Sequence, residues 1–293
     1  MSDNQVNLIS CPFCGGNGDV DDAANRSLSL DRGHSRCKVR RCLKCDFRWL
    51  FPRPSTDELE ELYTSEGYFN HKESGYSYES QVEQTKYCFT EIASIFSERM
   101  PVKGNILDVG CATGDFLIEA QRFGFNTAGV EFSQYAVDVC RKRGLKTFQG
   151  DVFTDKLKVN DYAGVHMSHV LEHLENPVSS IQRVHDLLAT GGIFYVEVPY
   201  QFDSILDKYN RLVGAEPEFG PFSLHHMAFF SPSSLVRLLT ENGFEILSVR
   251  TFRSCKRTGR KRSLKLLVLQ FILWMADRFA KKGDVISIWA KSV

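Results

Sequence analysis

From residue 101 onward, short apolar runs alternate with stretches of helical period. Residues 106–109, 126–130, 146–149, 161–168 and 193–198 read as strands. The fifth of these, Ile193 to Val198, is apolar enough to be buried on both faces, as parallel strands are. Phe116 and Leu117 open one helical stretch, Asn176-Pro177 opens another that runs to Ala189, and residues 231–242 form a third, with Leu235, Leu238 and Leu239 on one face and Gly243 closing it. Strand alternating with helix predicts an α/β doubly wound sheet. Residues 244–252 and 284–290 supply a sixth and a seventh strand.

The turn after the first strand is Gly110-Cys111-Ala112-Thr113-Gly114. Its glycines let backbone approach a ligand closely, and the following helix offers unsatisfied N–H groups. Alone, such a turn suits any nucleotide-like cofactor, or none. Glu131 ends the next strand about 20 residues on, where a doubly wound sheet places an acid able to accept both ribose hydroxyls. Asp151 follows the third strand, within reach of an adenine amino group, and the fourth runs into Ser168-His169-Val170-Leu171-Glu172-His173-Leu174-Glu175-Asn176-Pro177. A nicotinamide site competes for the glycine turn plus acid, but the GxGxxG spacing is missing.

The order DVGCATG, GVE, GDVF, SHVLEHLENP resembles the class I S-adenosylmethionine-dependent methyltransferases, and within them a bacterial small-molecule branch. The resemblance covers about residues 101–293. It implies a Rossmann-like, seven-stranded methyltransferase sheet whose cofactor is lined by Asp108, Gly110, Cys111, Ala112, Gly114, Phe116, Glu131, Phe132, Asp151, Val152 and Ser168. Ala112 stands where the family often has a middle glycine. The run His225-His226-Met227-Ala228-Phe229-Phe230-Ser231 resembles a family segment whose histidine is a candidate general base, and the aligned residue is His226. His225 replaces the family's usual glutamate. His173 and His169, at the end of the fourth strand, are the other catalytic candidates. A structural role is the other reading: His226 as a cap or packing residue, and His173 with Glu172 as an anchor of their loop.

Near the N-terminus, Cys11-Pro-Phe-Cys14-Gly-Gly and Cys42-Leu-Lys-Cys45 are paired C-x-x-C knuckles. Four thiolates on two tight turns make the corners of a structural zinc site. His34 and Cys37 lie outside the knuckles and are read as non-ligands. The polar segment from Asp19 to Gly33 is expected to form a β-hairpin with a long tip. This gives a zinc ribbon over 1–54, a helical lid or linker over 55–100, with a capped short helix at Ser55 and a longer one over 80–99, and the cofactor-binding domain over 101–293. The resemblance implies that ribbon and aromatic turns (Tyr63, Tyr68, Phe69, Tyr76, Tyr78) cover the cofactor; ordinary packing explains those tyrosines as well.

Composition narrows the partners. Lys plus Arg equals Asp plus Glu, 36 each, which argues against a nucleic-acid partner. No apolar signal core opens the chain, and the remaining cysteines show no paired spacing, so reduced thiols in the cytoplasm are expected. Residues 261–282 carry an apolar centre, Leu264 to Ala276, between basic ends. It is short of the ~20 residues a bilayer span needs. A buried crossover or homo-oligomer contact is expected there, with peripheral contact to the inner face of the membrane as the other reading.

The expected reaction is methyl transfer from S-adenosylmethionine to a small polar acceptor. The resemblance points to a sugar or nucleotide-linked sugar in cell-surface or natural-product biosynthesis. An RNA base methyltransferase that reads RNA through its ribbon, and a non-catalytic zinc-binding adaptor, are the rival readings. Zero net charge and the lack of an [N/D]PP[Y/F] motif oppose the first; intact Asp108, Gly110, Gly114 and Glu131 oppose the second.

Overall fold

The computed structural model describes residues 9–27, 37–53, 78–100, 102–204, 207, 226–252 and 283–293. Within them are two sheets. The larger is built from β5 (Asn105–Val109), β6 (Asn126–Glu131), β7 (Thr147–Gln149), β8 (Tyr162–Ser168), β9 (Leu188–Pro199), β11 (Phe244–Phe252) and β12 (Val285–Ser292). Its order is β11-β12-β9-β8-β5-β6-β7. Pairings from β7 through β9 are parallel, and β12 lies antiparallel between β9 and β11. The α/β fold with a seven-stranded sheet expected from the sequence is therefore present. The chain reverses its direction of travel across the sheet beside β5, so the carboxyl ends of β5, β6 and β8 open onto one crevice.

Local chemistry sets the helix boundaries. Ahead of α3 (Asp115–Arg122), Gly114 takes the left-handed φ of 85° that turns the chain out of the strand. A Cβ there would come 2.3 Å from Leu145, so glycine is required twice over. Ser133 caps α4 (Gln134–Lys142), accepting from the Ala136 N–H. Asn176 caps α5 (Pro177–Leu187), with proline in the first turn, where its missing N–H costs nothing. Ser231 and Ser234 form a reciprocal capping box on α6 (Pro232–Thr240).

One boundary differs from the sequence expectation. The helix that the apolar pattern carries to Ala189 stops at Leu187, and β9 starts at once. Gly191 and Gly192 do not end a helix; they sit within the strand, where the β8–β9 register shifts between Tyr162 and Gly164. Gly191 has φ 77°, as a bulge needs.

The smaller sheet has the order β1-β2-β3-β4-β10: β1 (Ile9–Ser10), β2 (Asn17–Val20), β3 (Lys38–Cys42), β4 (Arg48–Phe51) and β10 (Ala228–Phe229). Strands β2 and β3 do pair antiparallel. Between them, however, the chain forms a helix, α1 (Asp22–Ser27), where a plain hairpin tip was expected. Asp21 accounts for it by accepting the Ala24 N–H at 2.9 Å, as an N-cap does. The fifth strand comes from the far end of the chain, Ala228 pairing with Trp49 and Phe229 with Arg48. The sheet that carries the cysteines thus extends beyond residue 54.

One apolar core joins the sheets, running from Phe47 and Trp49 through Phe230 and Leu235 to Ile286 and Ile288. Trp49 also covers Gly18, where a Cβ would meet its ring at 2.1 Å. Helix α2 (Tyr78–Arg99), read from the sequence as 80–99, packs Phe96 on Phe116 and Trp289. The expectations for Ser55, Tyr63, Tyr68, Phe69, Tyr76, His34, His225, most of the loop after Gln201, and residues 261–282 fall outside the described residues. Among the described residues, no helix is long and apolar enough to cross a membrane.

Candidate active site

The turn after β5 is fastened from three sides. The Gly110 N–H donates to Val130 O at 2.8 Å, and the Gly114 N–H to Cys111 O at 2.8 Å. Arg143 donates to Thr113 O at 2.6 Å and pairs with Asp115 at 3.0 Å. Ala112 adopts φ 45°, a left-handed conformation alanine tolerates at a cost of order 1 kcal/mol.

Glu131 faces this turn. Its Oε2 accepts the Ala112 N–H at 3.0 Å and its Oε1 the Ser133 N–H at 2.9 Å. Both oxygens keep a second lone pair, so the carboxylate is aimed without being used up. Burial pushes its pKa up, against the amide hydrogen bonds. The Gly150 N–H bonds Glu131 O at 3.0 Å, which draws the end of β7 to the same edge. Asp151 is exposed there, accepting the Phe153 N–H at 2.9 Å, with Val152 buried beneath and Phe132 half exposed. Ser168 donates to Glu197 at 3.4 Å on the neighbouring strand end.

Three residues expected at the cofactor lie deeper. Asp108 is 3% exposed, with Oδ1 2.6 Å from His166 Nδ1. Burial raises its pKa and His166 opposes the rise. Phe116 stacks on His166 at 3.8 Å, and Tyr195 lies parallel on the other side at 5.5 Å. Cys111 is buried, and fills the space a Cβ at Gly129 would need, 2.5 Å from its sulfur. These side chains hold the floor of the crevice. His166 escaped the sequence reading because a lone histidine inside an apolar strand has no local signature.

Above the turn sits the segment 169–173. A Cβ on Gly110 would lie 2.3 Å from Val170, so only glycine lets this segment close over the crevice. His169 has φ 54° and stands between two carboxylates, Glu197 at 3.2 Å and Glu172 at 3.4 Å. Burial works against its charge, but Glu172 and Glu197 lift its pKa to about 10. Its side chain is 48% exposed, so solvent screens part of that attraction. The two carboxylates thus favour the charged form of His169. Glu197 in turn accepts from Tyr195 at 2.5 Å.

The His173 and His226 rings meet edge to face at 4.7 Å. Glu172, only 1% exposed, lies 3.7 Å from His173. Although burial raises its pKa, His173 and His169 outweigh that and bring it down to about 2, so it is ionised. Gln201 contacts His226 Nδ1 at 2.7 Å. The sequence named the three histidines; it missed Glu197 and Gln201, which reach the cluster from β9 and the residues after it. Met227 links the cluster to the small sheet. Its N–H donates to Glu172 O at 2.8 Å and its carbonyl accepts the Leu50 N–H at 3.0 Å.

The four cysteines do come together. Cys11 and Cys45 sulfurs are 3.7 Å apart, Cys14 and Cys42 sulfurs 3.5 Å, and all four lie within 4.8 Å of one another. A tetrahedron of zinc–sulfur bonds of ~2.3 Å has edges of about 3.8 Å. Amide N–H groups of Phe13, Lys44 and Cys45 point at the sulfurs from 3.4 Å. A Cβ on Gly16 would press on two of the sulfurs at 3.3 Å. The cluster is of the kind that holds structural zinc. Cys37, buried among Val39, Leu50 and Phe229, is not part of it.

A family profile described as a methyltransferase domain matches residues 78–249, more than half of the chain. Curated relatives include a ubiquinone biosynthesis O-methyltransferase of Shewanella pealeana, 30% identical over 45% of this chain and 60% of that protein. Another, of the same description from Vibrio cholerae, is 27% identical over 56% of this chain and 72% of its own. The match to the Shewanella protein thus spans less than two thirds of its length. Among solved structures, a SAM-dependent methyltransferase from Archaeoglobus fulgidus superposes with TM-score 0.51 at 18% identity, over 71% of this chain and 94% of its own. A putative methyltransferase in complex with the Haloferax volcanii Trm112 activator gives 0.51 at 15%, over 73% and 93%. At such identities these two likenesses show the fold alone.

Proposed function

The chain belongs to the methyltransferase-domain family, and on that premise we propose that it transfers the methyl group of S-adenosylmethionine to a hydroxyl of a small molecule. The observation that carries the proposal is the crevice itself: Glu131 aimed at a strained glycine turn on one side, and a histidine–glutamate cluster closed over that turn on the other. When bound, the cofactor supplies an electrophilic methyl on its sulfonium. Gly110, Ala112 and Gly114 admit it closely, Glu131 accepts its ribose hydroxyls, and Asp151 with Val152 and Phe132 receives its adenine. Asp108, through His166, holds β5 against β8 from below.

The acceptor side follows from charge. His169, locked between Glu172 and Glu197, offers a fixed positive group for positioning. His226 and His173, whose rings meet beside Glu172, are the candidates to take the proton of an acceptor hydroxyl. Oxygen as acceptor atom is supported by the relatives, whose names specify O-methylation in ubiquinone biosynthesis. Those relatives lend no support to a sugar acceptor. Among the described residues, the small sheet, with its four-cysteine cluster, is tied to the crevice through Met227, which bonds both Leu50 and Glu172.

Calorimetry tests the cofactor half. The wild type should bind S-adenosylmethionine, and Glu131→Ala should weaken binding by about 1.5–3 kcal/mol as charge-assisted bonds are lost. Unchanged affinity in the variant would remove Glu131 from the site.

A further inference from the structure

We propose that His166 is a positioning residue for the cofactor: by hydrogen-bonding Asp108 beneath the glycine turn, it keeps that carboxylate charged and in place to face the positive end of S-adenosylmethionine. The inference rests on the methyl-transfer reading and adds to it a residue that acts through another side chain. Strand pairing sets the two side by side. Asp108 on β5 is in register with His166 on β8, so both project from the same face of the sheet. Asp108 Oδ1 and His166 Nδ1 are 2.6 Å apart, and both side chains are buried. Asp108 stands at the end of the strand that enters the turn at Gly110.

The surroundings of Asp108 call for such a partner. A lone carboxylate in a dry site takes up a proton. Burial pushes the Asp108 pKa up; His166 opposes the rise, and Asp115 on α3 adds to it. The other groups nearby give no help. Glu131 on β6 and the Cys111 thiol both feel the Asp108 charge as repulsion. Glu197 on β9 feels His166, and the Tyr195 phenol is held to Glu197. From α2, Phe89 meets the His166 ring edge-on at 6.3 Å. Arg143 is committed to Thr113 O and Asp115. Among the described residues, His166 is the group that hydrogen-bonds the Asp108 carboxylate.

The ring is set to give that bond. Phe116 stacks on one face at 3.8 Å, and Tyr195 lies parallel to the other at 5.5 Å. This sandwich fixes the ring plane and so keeps Nδ1 toward Oδ1. An ionised carboxylate only accepts, so Nδ1 carries the hydrogen. His166 Nε2 is buried and, among the described residues, has no hydrogen-bond partner, which is a cost to the fold. A phenylalanine would fill the same stack without that cost; what histidine adds is the bond to Asp108. S-adenosylmethionine carries an ammonium and a sulfonium, so a charged Asp108 attracts it and a protonated one does not.

The test compares two ligands by calorimetry on the full-length protein. Methylthioadenosine keeps the adenine and ribose of S-adenosylmethionine and lacks both positive groups. His166→Phe should bind S-adenosylmethionine roughly tenfold or more weakly than the wild type, the worth of one charge-assisted interaction. The deficit should grow from about pH 8 to about pH 6, as Asp108 takes up its proton. Methylthioadenosine affinity should match the wild type. His166→Asn, whose amide donates where Nδ1 does, should restore S-adenosylmethionine binding. If His166→Phe fails to fold, Asp108→Asn takes its place and should show the same selective loss without the pH dependence. Equal loss of both ligands, no loss of S-adenosylmethionine, or no rescue by asparagine overturns the inference. A wild type that does not bind S-adenosylmethionine sinks the methyl-transfer reading, and this inference with it.

Discussion

The cysteine cluster and the glutamate–histidine cluster contrast. At the cysteine cluster every corner is a sulfur, three amide N–H groups are already aimed at them, and a glycine leaves no room beyond. At the glutamate–histidine cluster the buried carboxylate is held among the described residues by ion pairs to His169 and His173, and the His173 ring meets His226 edge to face. A closed cluster of four thiols suits structural work; a histidine–glutamate cluster beside the crevice is placed where proton transfer can occur. The difference lies in how each site is built. Two knuckles close in sequence make the first. The second needs β8, β9 and the strand end near residue 226 to converge.

The largest effect expected from breaking this contrast is at the closed site. Cys42→Ser or strong chelation should release zinc and unfold the small sheet, since binding of order 10 kcal/mol is also folding energy there. Hydrogen exchange over residues 38–51 should rise to the level of open chain, and the Met227 N–H should lose protection too, because the same peptide segment bonds both Leu50 and Glu172. Protection at Met227 that outlasts zinc would show the two sites to be uncoupled.

At the histidine–glutamate cluster, substitution should spare the fold. His226→Ala is expected to lower turnover by roughly a hundredfold or more while cofactor affinity and zinc content stay put. A parallel fall in thermal stability of several kcal/mol would instead class His226 with the cysteines, as structure.

The smallest effect separates ion pairs that brace from those that act. Asp21 and Arg48, 2.7 Å apart and both buried, tie α1 to the small sheet, and Arg48 also pairs with Asp203 at 2.8 Å. Burial alone would raise the Asp21 pKa, but the Ala24 amide and Arg48 bring it below the usual carboxylate value. Its contribution is therefore complete above the unfolded-state value, near 3.8, and lost as pH falls through the lower folded-state value. Asp21→Asn should cost about 1 kcal/mol at pH 7 and flatten the acid limb of a stability–pH profile. An unaltered acid limb would mean that other carboxylates carry it.

What could be read in the sequence follows the same division. The cysteine tetrad, the glycine turn and Glu131 are local patterns whose spacing fixes their geometry, and all three are found where the pattern puts them. The seven strands of the large sheet were legible for the same reason, each being a short apolar run. Helix α1 was not, since its cap, Asp21, takes its meaning from Arg48 on a strand 27 residues later. The motif points to Asp108, but not to its partner His166, brought beside it by parallel pairing of β5 and β8. Glu197 and Gln201 escaped notice because nothing near them in the chain announces the histidines they serve. Residue pairs that only the finished topology brings together leave no periodicity to read.

The bond pattern at Met227 has a consequence for how the chain is made. The first four strands of the small sheet and their cysteines leave the ribosome early, but the edge of β4 stays uncovered until Ala228 and Phe229 arrive. An unpaired β4 edge, bearing Trp49 and Phe51, is a template for the wrong partner during that interval. Early capture of zinc would keep the half-built sheet in register while the central strands are still being synthesised.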